Sequence, residues 1–320
     1  VRTLAETVKA VGVRFDEAAL LKAVELAKTD LTAELVKEFT ELQGVIGGLY
    51  ANVQGLGDKV RDAIYNQYKP ASTEDKIPET IEGQLLGLAD RAQTVTAMFG
   101  INMAPTGSKD PFALRRAANG IIKVLGESDV PLSLTNVLNA AATKDAKRPQ
   151  LNDFFRERLH FYLKDVRRFA YDVVNAVLAA GSDDVRDSIA RAEALTAARG
   201  SEDFLAVSAA FKRIKNILKQ AEEKGFAVGS AGNVKLAPEA QRLADAAETL
   251  APTVAKLREE RNYGEALAQI ATLRPAVDAF FDKVMVLDPD PAVRGAHLGL
   301  IAEVLHNFSG IADFSEIVTG

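Results

Sequence analysis

The chain has 320 residues, 48% apolar and 26% charged, the composition of a soluble globular protein long enough for two domains with a core in each. No apolar run approaches the roughly 18 residues needed to span a bilayer, and no basic-then-apolar leader opens the chain, so neither a membrane anchor nor a secretory signal is read from it. Zero cysteines exclude disulfides and thiolate metal sites and fit a cytoplasmic protein, while a net charge of −5 argues against a general nucleic-acid coat but leaves room for a local basic surface.

The chain begins at Val1 and runs straight into the helical stretch TLAETVKAVG, which reads as a piece of a longer protein. Apolar residues at three- and four-residue spacing then predict helices over 16–29, 41–54, 78–99, 111–125, 151–179, 183–198, 202–220, 238–260, 263–284 and 290–308. Alternating β patterns are lacking and alanine is abundant, so the expected fold class is all-α. The stretch TGSKDPFALRRAANG at 106–120 superficially suggests a phosphate loop. It lacks the second glycine, its Ser108 precedes Lys109, and no strand leads in. It reads instead as a helix start, with Asp110 as N-cap, Pro111 at the first helical position, and Leu114, Ala118, Ile121 and Leu125 on a buried face. The clearest break is AAATKDAKRPQ at 140–150, and GFAVGSAGNVKLAP at 225–238 reads as a loop between helices. Asp183 and Asp184 read as the acidic first turn of a helix.

Chemistry-bearing residues are sparse. The three histidines, His160, His297 and His306, lack the three- or four-residue spacing of paired ligands on one helix, and no G-x-S-x-G elbow is present. The cations are better organised. In 202–220, Phe204, Val207, Phe211, Ile214 and Leu218 form a core stripe, and Lys212, Lys215 and Lys219 form a second stripe beside it, with Asn216 and Arg213 further round. Such a spacing repels by a few tenths of a kcal/mol per pair, so it suits an anionic partner better than bare solvent. Arg167 and Arg168 are expected mid-helix, with Asp165 and Asp172 as competing ion-pair partners. Arg116 and Lys123 are expected on one helix face, with Asn119 between them.

Four segments carry a resemblance. KTDLTAELVKEFTELQGVIGGLYA at 28–51, IPETIEGQLLGLADRAQTVTAMFG at 77–100, FGINMAPTGSKDPFALRRAANGI around the 106–120 stretch and FFDKVMVLDPDPAVRGAHLGLIAEV at 280–304 occur in the order found in the β subunits of heterotetrameric bacterial glycyl-tRNA synthetases, with a weaker match in AAFKRIKNILK at 209–219. The resemblance implies the C-terminal part of such a subunit: an HD-like helical domain over 1–148 and a helical anticodon-binding domain of the DALR type over 149–320. It implies glycine tRNA and the synthetase α subunit as partners, with ATP and magnesium expected at the α subunit and no cofactor or catalytic residue in this chain. Membrane and DNA are not expected partners. The candidate tRNA contacts are Lys212, Arg213, Lys215, Asn216, Lys219, Arg167, Arg168, Arg116 and Lys123.

HD-type phosphohydrolases hold divalent metals through histidines and aspartates together. Asp30 and Asp90 look like the aspartates of that pattern, but residues 1–150 contain no histidine, so the fold is expected without the reaction. The alternatives are a metal-dependent phosphohydrolase using Asp30 and Asp90, or a non-catalytic helical scaffold for a protein partner.

Overall fold

The structure, a computed structural model, describes residues 1–141, 147–229 and 234–319. The fold is all-α. The described chain forms two compact units: Val1–Tyr162 with Asp183–Arg186, and Leu163–Ser182 with Asp187–Gly320. The expected break at 140–150 and the loop at 225–238 fall partly outside the described residues, at 142–146 and 230–233.

The first unit contains α1 (Arg2–Ala10), α2 (Glu17–Leu26), α3 (Glu34–Glu38), α4 (Val45–Val53), α5 (Asp58–Asn66), α6 (Ile81–Gly100), α7 (Leu114–Glu127), α8 (Leu134–Ala141) and α9 (Arg148–Phe161). Helix α6 is its axis, packing on α2, α5, α7 and α8. Thr80 starts it by accepting the Gly83 N–H, and Leu85, Leu88, Ala92, Val95 and Phe99 bury one continuous stripe. Each buried leucine or phenylalanine contributes about 1.5–3 kcal/mol. Helices α4 and α5 meet closely because Gly48 has no side chain: a Cβ there would lie 2.6 Å from the Tyr65 Cβ.

Helix α7 begins at Leu114, three residues later than expected. Ala113 takes a left-handed conformation (φ 53°), which ends the 110–113 turn before the helix starts. Asp110 still caps it, from one turn further back: its carboxylate accepts the N–H groups of Leu114 (2.8 Å) and Arg115 (2.9 Å). The face of Leu114, Ala118, Ile121 and Leu125 is buried as the spacing predicts. Asp183, expected to open its own helix, instead caps α8, accepting from the Leu134 N–H through its carbonyl and the Thr135 N–H through its carboxylate.

The second unit contains α10 (Tyr171–Ala179), most of α11 (Val185–Ala198), α12 (Glu202–Glu223), α13 (Pro238–Glu259), α14 (Tyr263–Ala271), α15 (Arg274–Lys283) and α16 (Pro291–Phe308). The predicted helix over 151–179 is therefore interrupted. After α9 the chain widens into a π turn, Tyr162–Val166; Arg168 is left-handed (φ 63°), and the Phe169 N–H donates to the Leu163 carbonyl to close the end. The predicted helix over 263–284 likewise divides at 272–273.

Helix α12 buries Phe204, Val207, Phe211 and Ile214, with Leu218 at the margin. Phe314 packs edge-on against Phe204 (5.6 Å) and Phe211 (5.3 Å), fixing the chain's last turn on that stripe. Buried Arg191 ties three segments together, donating to the carbonyls of Val177 (2.9 Å), Gly181 (2.8 Å) and Ile311 (3.0 Å) and to Asp187 (2.7 Å).

Candidate nucleic-acid interface

The core stripe of α12 dictates what the rest of that helix presents. With Phe204, Val207, Phe211 and Ile214 turned inward, Lys212, Arg213, Lys215, Asn216 and Lys219 are all exposed. Among the described residues, Lys212 and Lys219 make no ion pair. Lys215 does: its ammonium sits 2.5 Å from Asp313 Oδ2 and 3.2 Å from Ser315 Oγ. Burial pushes the Asp313 carboxyl up, but hydrogen bonds from Lys215 and Ser315 outweigh it and hold the carboxyl below the ordinary value. The lysine stripe is thus two open charges flanking one pinned charge, with the Asn216 amide beside them.

Arg213 sits over the Phe281 ring, its guanidinium carbon 4.3 Å from the centroid. Arg294 does the same over Phe226 at 4.1 Å, and donates to the carbonyls of Asp288 and Pro289. Each cation–π contact holds a guanidinium in place while leaving its charge uncancelled. Sequence reasoning missed Arg294, because Phe226 is far away along the chain and only the folded loop brings it there.

The remaining candidates separate. Arg167 is not mid-helix, and its partner is Glu193 at 2.8 Å rather than Asp165 or Asp172. Asp172 is buried and bound by Arg199 and the Val318 N–H. Arg168 is exposed without an ion pair among the described residues. In the first unit Arg116 is exposed, but Lys123 is buried and its ammonium bonds Glu127 at 2.7 Å, which in turn accepts from the Tyr162 hydroxyl. Arg116 and Lys123 therefore do not form one cationic face: seven residues is nearly two full turns, so the two point alike, but further along the axis Lys123 is enclosed and paired.

The two aspartates of the HD-like pattern are engaged by the protein's own donors. Asp30 is buried and accepts the Gly44 N–H at 2.6 Å through Oδ2. Asp90 pairs with the Lys28 ammonium at 2.9 Å, and that ammonium also reaches the Tyr68 hydroxyl at 3.2 Å. His297 is buried with Nδ1 against the Met285 carbonyl at 3.2 Å, and His306 is exposed. Among the described residues no three His, Asp or Glu side chains gather as a metal set.

The all-α chain of two helical units thus presents Lys212 and Lys219 open on one edge of a long helix, with Arg168 and Arg116 open elsewhere. Comparison with known proteins supplies the family. The family model described as glycyl-tRNA synthetase beta subunit matches residues 1–179, and the model described as DALR anticodon binding domain matches residues 207–312. The glycine–tRNA ligase beta subunit of Acidobacterium capsulatum is 58% identical across 98% of this chain and 46% of its own length. Those of Anaeromyxobacter sp. strain K and Halothermothrix orenii are 40% and 33% identical, across 94% and 93% of this chain. The chain belongs to the glycyl-tRNA synthetase beta subunit family. It spans less than half the length of these relatives.

Proposed function

We propose that this chain is the C-terminal, tRNA-gripping part of a glycine–tRNA ligase β subunit. It holds glycine tRNA while a separate α subunit, with ATP and magnesium, activates glycine and acylates the tRNA. In this reading residues 1–148 keep an HD-like fold without hydrolysis, and 149–320 form the anticodon-binding domain. The setting is the cytoplasm; among the described residues no helix is long and apolar enough to cross a membrane. Binding energy supplied away from the reacting centre raises the rate by positioning the substrate.

One observation carries the reading. Lys212 and Lys219 lie exposed and, among the described residues, without ion pairs either side of Asn216, inside the segment that matches the anticodon-binding model. Single-stranded bases are read by hydrogen bonds and stacking while lysines hold the phosphates. The guanidiniums of Arg213 and Arg294 add planar donors of the kind that such bases need. Arg167, Arg168 and Arg116 stand as further contacts, while the buried, paired Lys123 is assigned to structure.

The test is a titration of the chain against glycine tRNA and an anticodon-swapped version at two salt concentrations. The expected result is a salt slope that falls by about one for each of Lys212 and Lys219 replaced by alanine, and a loss of about 1–3 kcal/mol per wrong base, by analogy with duplex readout. Equal affinity for the two tRNAs defeats the anticodon assignment, and an unchanged slope in the double variant defeats the α12 assignment.

A further inference from the structure

The first unit contains a cleft that the α12 assignment does not use. It is about 280 Å³ and lies between the 68–71 segment, α6 and the start of α7, lined by Tyr68, Asp90, Arg91, Phe112 and Arg116. A smaller cavity of about 140 Å³ adjoins it, sharing Arg116 and lined also by Asn119. The walls are held by the protein's own acids. Asp75 accepts the N–H groups of Ala71 and Ser72, and Asp110 accepts those of Leu114 and Arg115.

Arg91 is seated here by two glycines. A Cβ at Gly87 or at Gly120 would lie 2.8 Å from Arg91 side-chain nitrogens, so both helices give up a side chain to admit one guanidinium. Its partners are the carbonyls of Gln67, Gly87 and Pro70, none of them a carboxylate. Three of a guanidinium's five N–H donors are thereby used, and two remain. Arg116 at the rim has no partner among the described residues. Asp90 is the acid that lines the cleft, and Lys28 already matches its charge. Arg91 feels the Asp90 charge without forming an ion pair, so one carboxylate stands against the three cations Lys28, Arg91 and Arg116 around one concavity. Phe112 stands beside them 42% exposed, and the Asn119 amide oxygen is buried in the adjoining cavity with no hydrogen-bond partner.

We propose that this cleft binds a nucleoside monophosphate unit. Its phosphate would sit between Arg91 and Arg116, and its base against the Phe112 ring. Guanidiniums match phosphate oxygens as paired donors, and an aromatic face accepts any base. The unit is either a free mononucleotide or one nucleotide of an RNA strand; the chemistry is shared. The inference concerns the first unit alone and stands whether or not α12 holds RNA.

The experiment is calorimetric titration of the 320-residue chain with AMP, adenosine and a short single-stranded oligoribonucleotide. It compares the parent with Arg116→Ala and Phe112→Ala, both exposed positions whose folding is checked by thermal melting. AMP or the oligonucleotide is expected to bind, and adenosine to bind far more weakly than AMP. Arg116→Ala should weaken binding on the order of tenfold, as loss of a charge-assisted hydrogen bond does. AMP binding identifies a free nucleotide; oligonucleotide binding alone identifies a strand. The proposal is overturned if neither probe binds at low salt, if adenosine binds as tightly as AMP, or if both substitutions leave affinity unchanged. Loss of tRNA binding through Lys212 and Lys219 would not touch any of these outcomes.

Discussion

Lys215 and Asp313 hold the end of the chain onto α12: the ammonium lies 2.5 Å from Oδ2, and the same carboxylate accepts the Ser315 N–H and hydroxyl. Lys215 is half exposed, so the pair's own contribution is about 1 kcal/mol, and the turn that Asp313 caps adds a similar amount. Asp313→Asn should therefore cost about 1–2 kcal/mol at neutral pH by urea unfolding. The folded carboxyl sits below its usual value of 3.8, so this stabilisation is complete above that pH and is lost as pH falls below it. The gap between parent and variant should close in acid. A gap that persists at low pH would mean that the asparagine disturbs packing instead.

Arg191 ties the second unit together, because three carbonyls and Asp187 meet one buried guanidinium. Arg191→Met keeps the bulk and removes every donor. It should cost about 3 kcal/mol, since three carbonyls and Asp187 each lose a donor where water reaches poorly. Arg191→Lys should recover little, because one ammonium does not reproduce a planar fork. A loss under about 1 kcal/mol, within the range of an ordinary surface change, would sink the assignment.

The predicted pattern was legible where period alone decides the outcome. Phe204, Val207, Phe211 and Ile214 line α12, and Leu114, Ala118, Ile121 and Leu125 line α7, because a 3.6-residue repeat buries those positions whatever they pack against. It was illegible where a local conformation overrides the repeat. Nothing in the apolar spacing marks Arg168 or Ala113 as left-handed, so a long helix was expected where two exist and α7 was started early. Helices α3, α5 and α8, of 5, 9 and 8 residues, lie outside the predicted ranges. The candidate sites follow the same rule. The exposure of Lys212 and Lys219 follows from the stripe opposite them, whereas Lys215–Asp313, Arg294–Phe226 and the glycine seat of Arg91 join distant segments and need the fold itself.

Tyr263 should titrate late. Burial, together with the hydrogen bond to Asp187 and that residue's charge, pushes its phenol up to about 12, since ionisation would place a second negative charge beside a carboxylate. A folded value above the usual 10 favours the protonated state, so its stabilisation is complete below pH 10 and lost as pH rises from 10 towards 12. Among the chain's six tyrosines, phenolate absorbance should show a late step that Tyr263→Phe removes. The variant should cost about 1–2 kcal/mol at neutral pH and lose stability less steeply in alkali. An alkaline titration identical in parent and variant would refute the pairing.

Arg168 offers a sharper division between folding and contact. It sits at φ 63°, exposed, at the point where the chain leaves the π turn. A left-handed residue with a side chain costs roughly 1 kcal/mol relative to glycine. Arg168→Gly should therefore raise stability by several tenths of a kcal/mol, the gain being trimmed by the extra freedom of glycine in the unfolded chain. If the cation is kept for RNA, the same variant should bind tRNA more weakly with a shallower salt slope, while Arg168→Lys keeps the slope and the strain. Stability and affinity would then move in opposite directions from one substitution. A purely structural arginine predicts no change in affinity, and a glycine variant that is both more stable and equally good at binding tRNA would remove Arg168 from the interface.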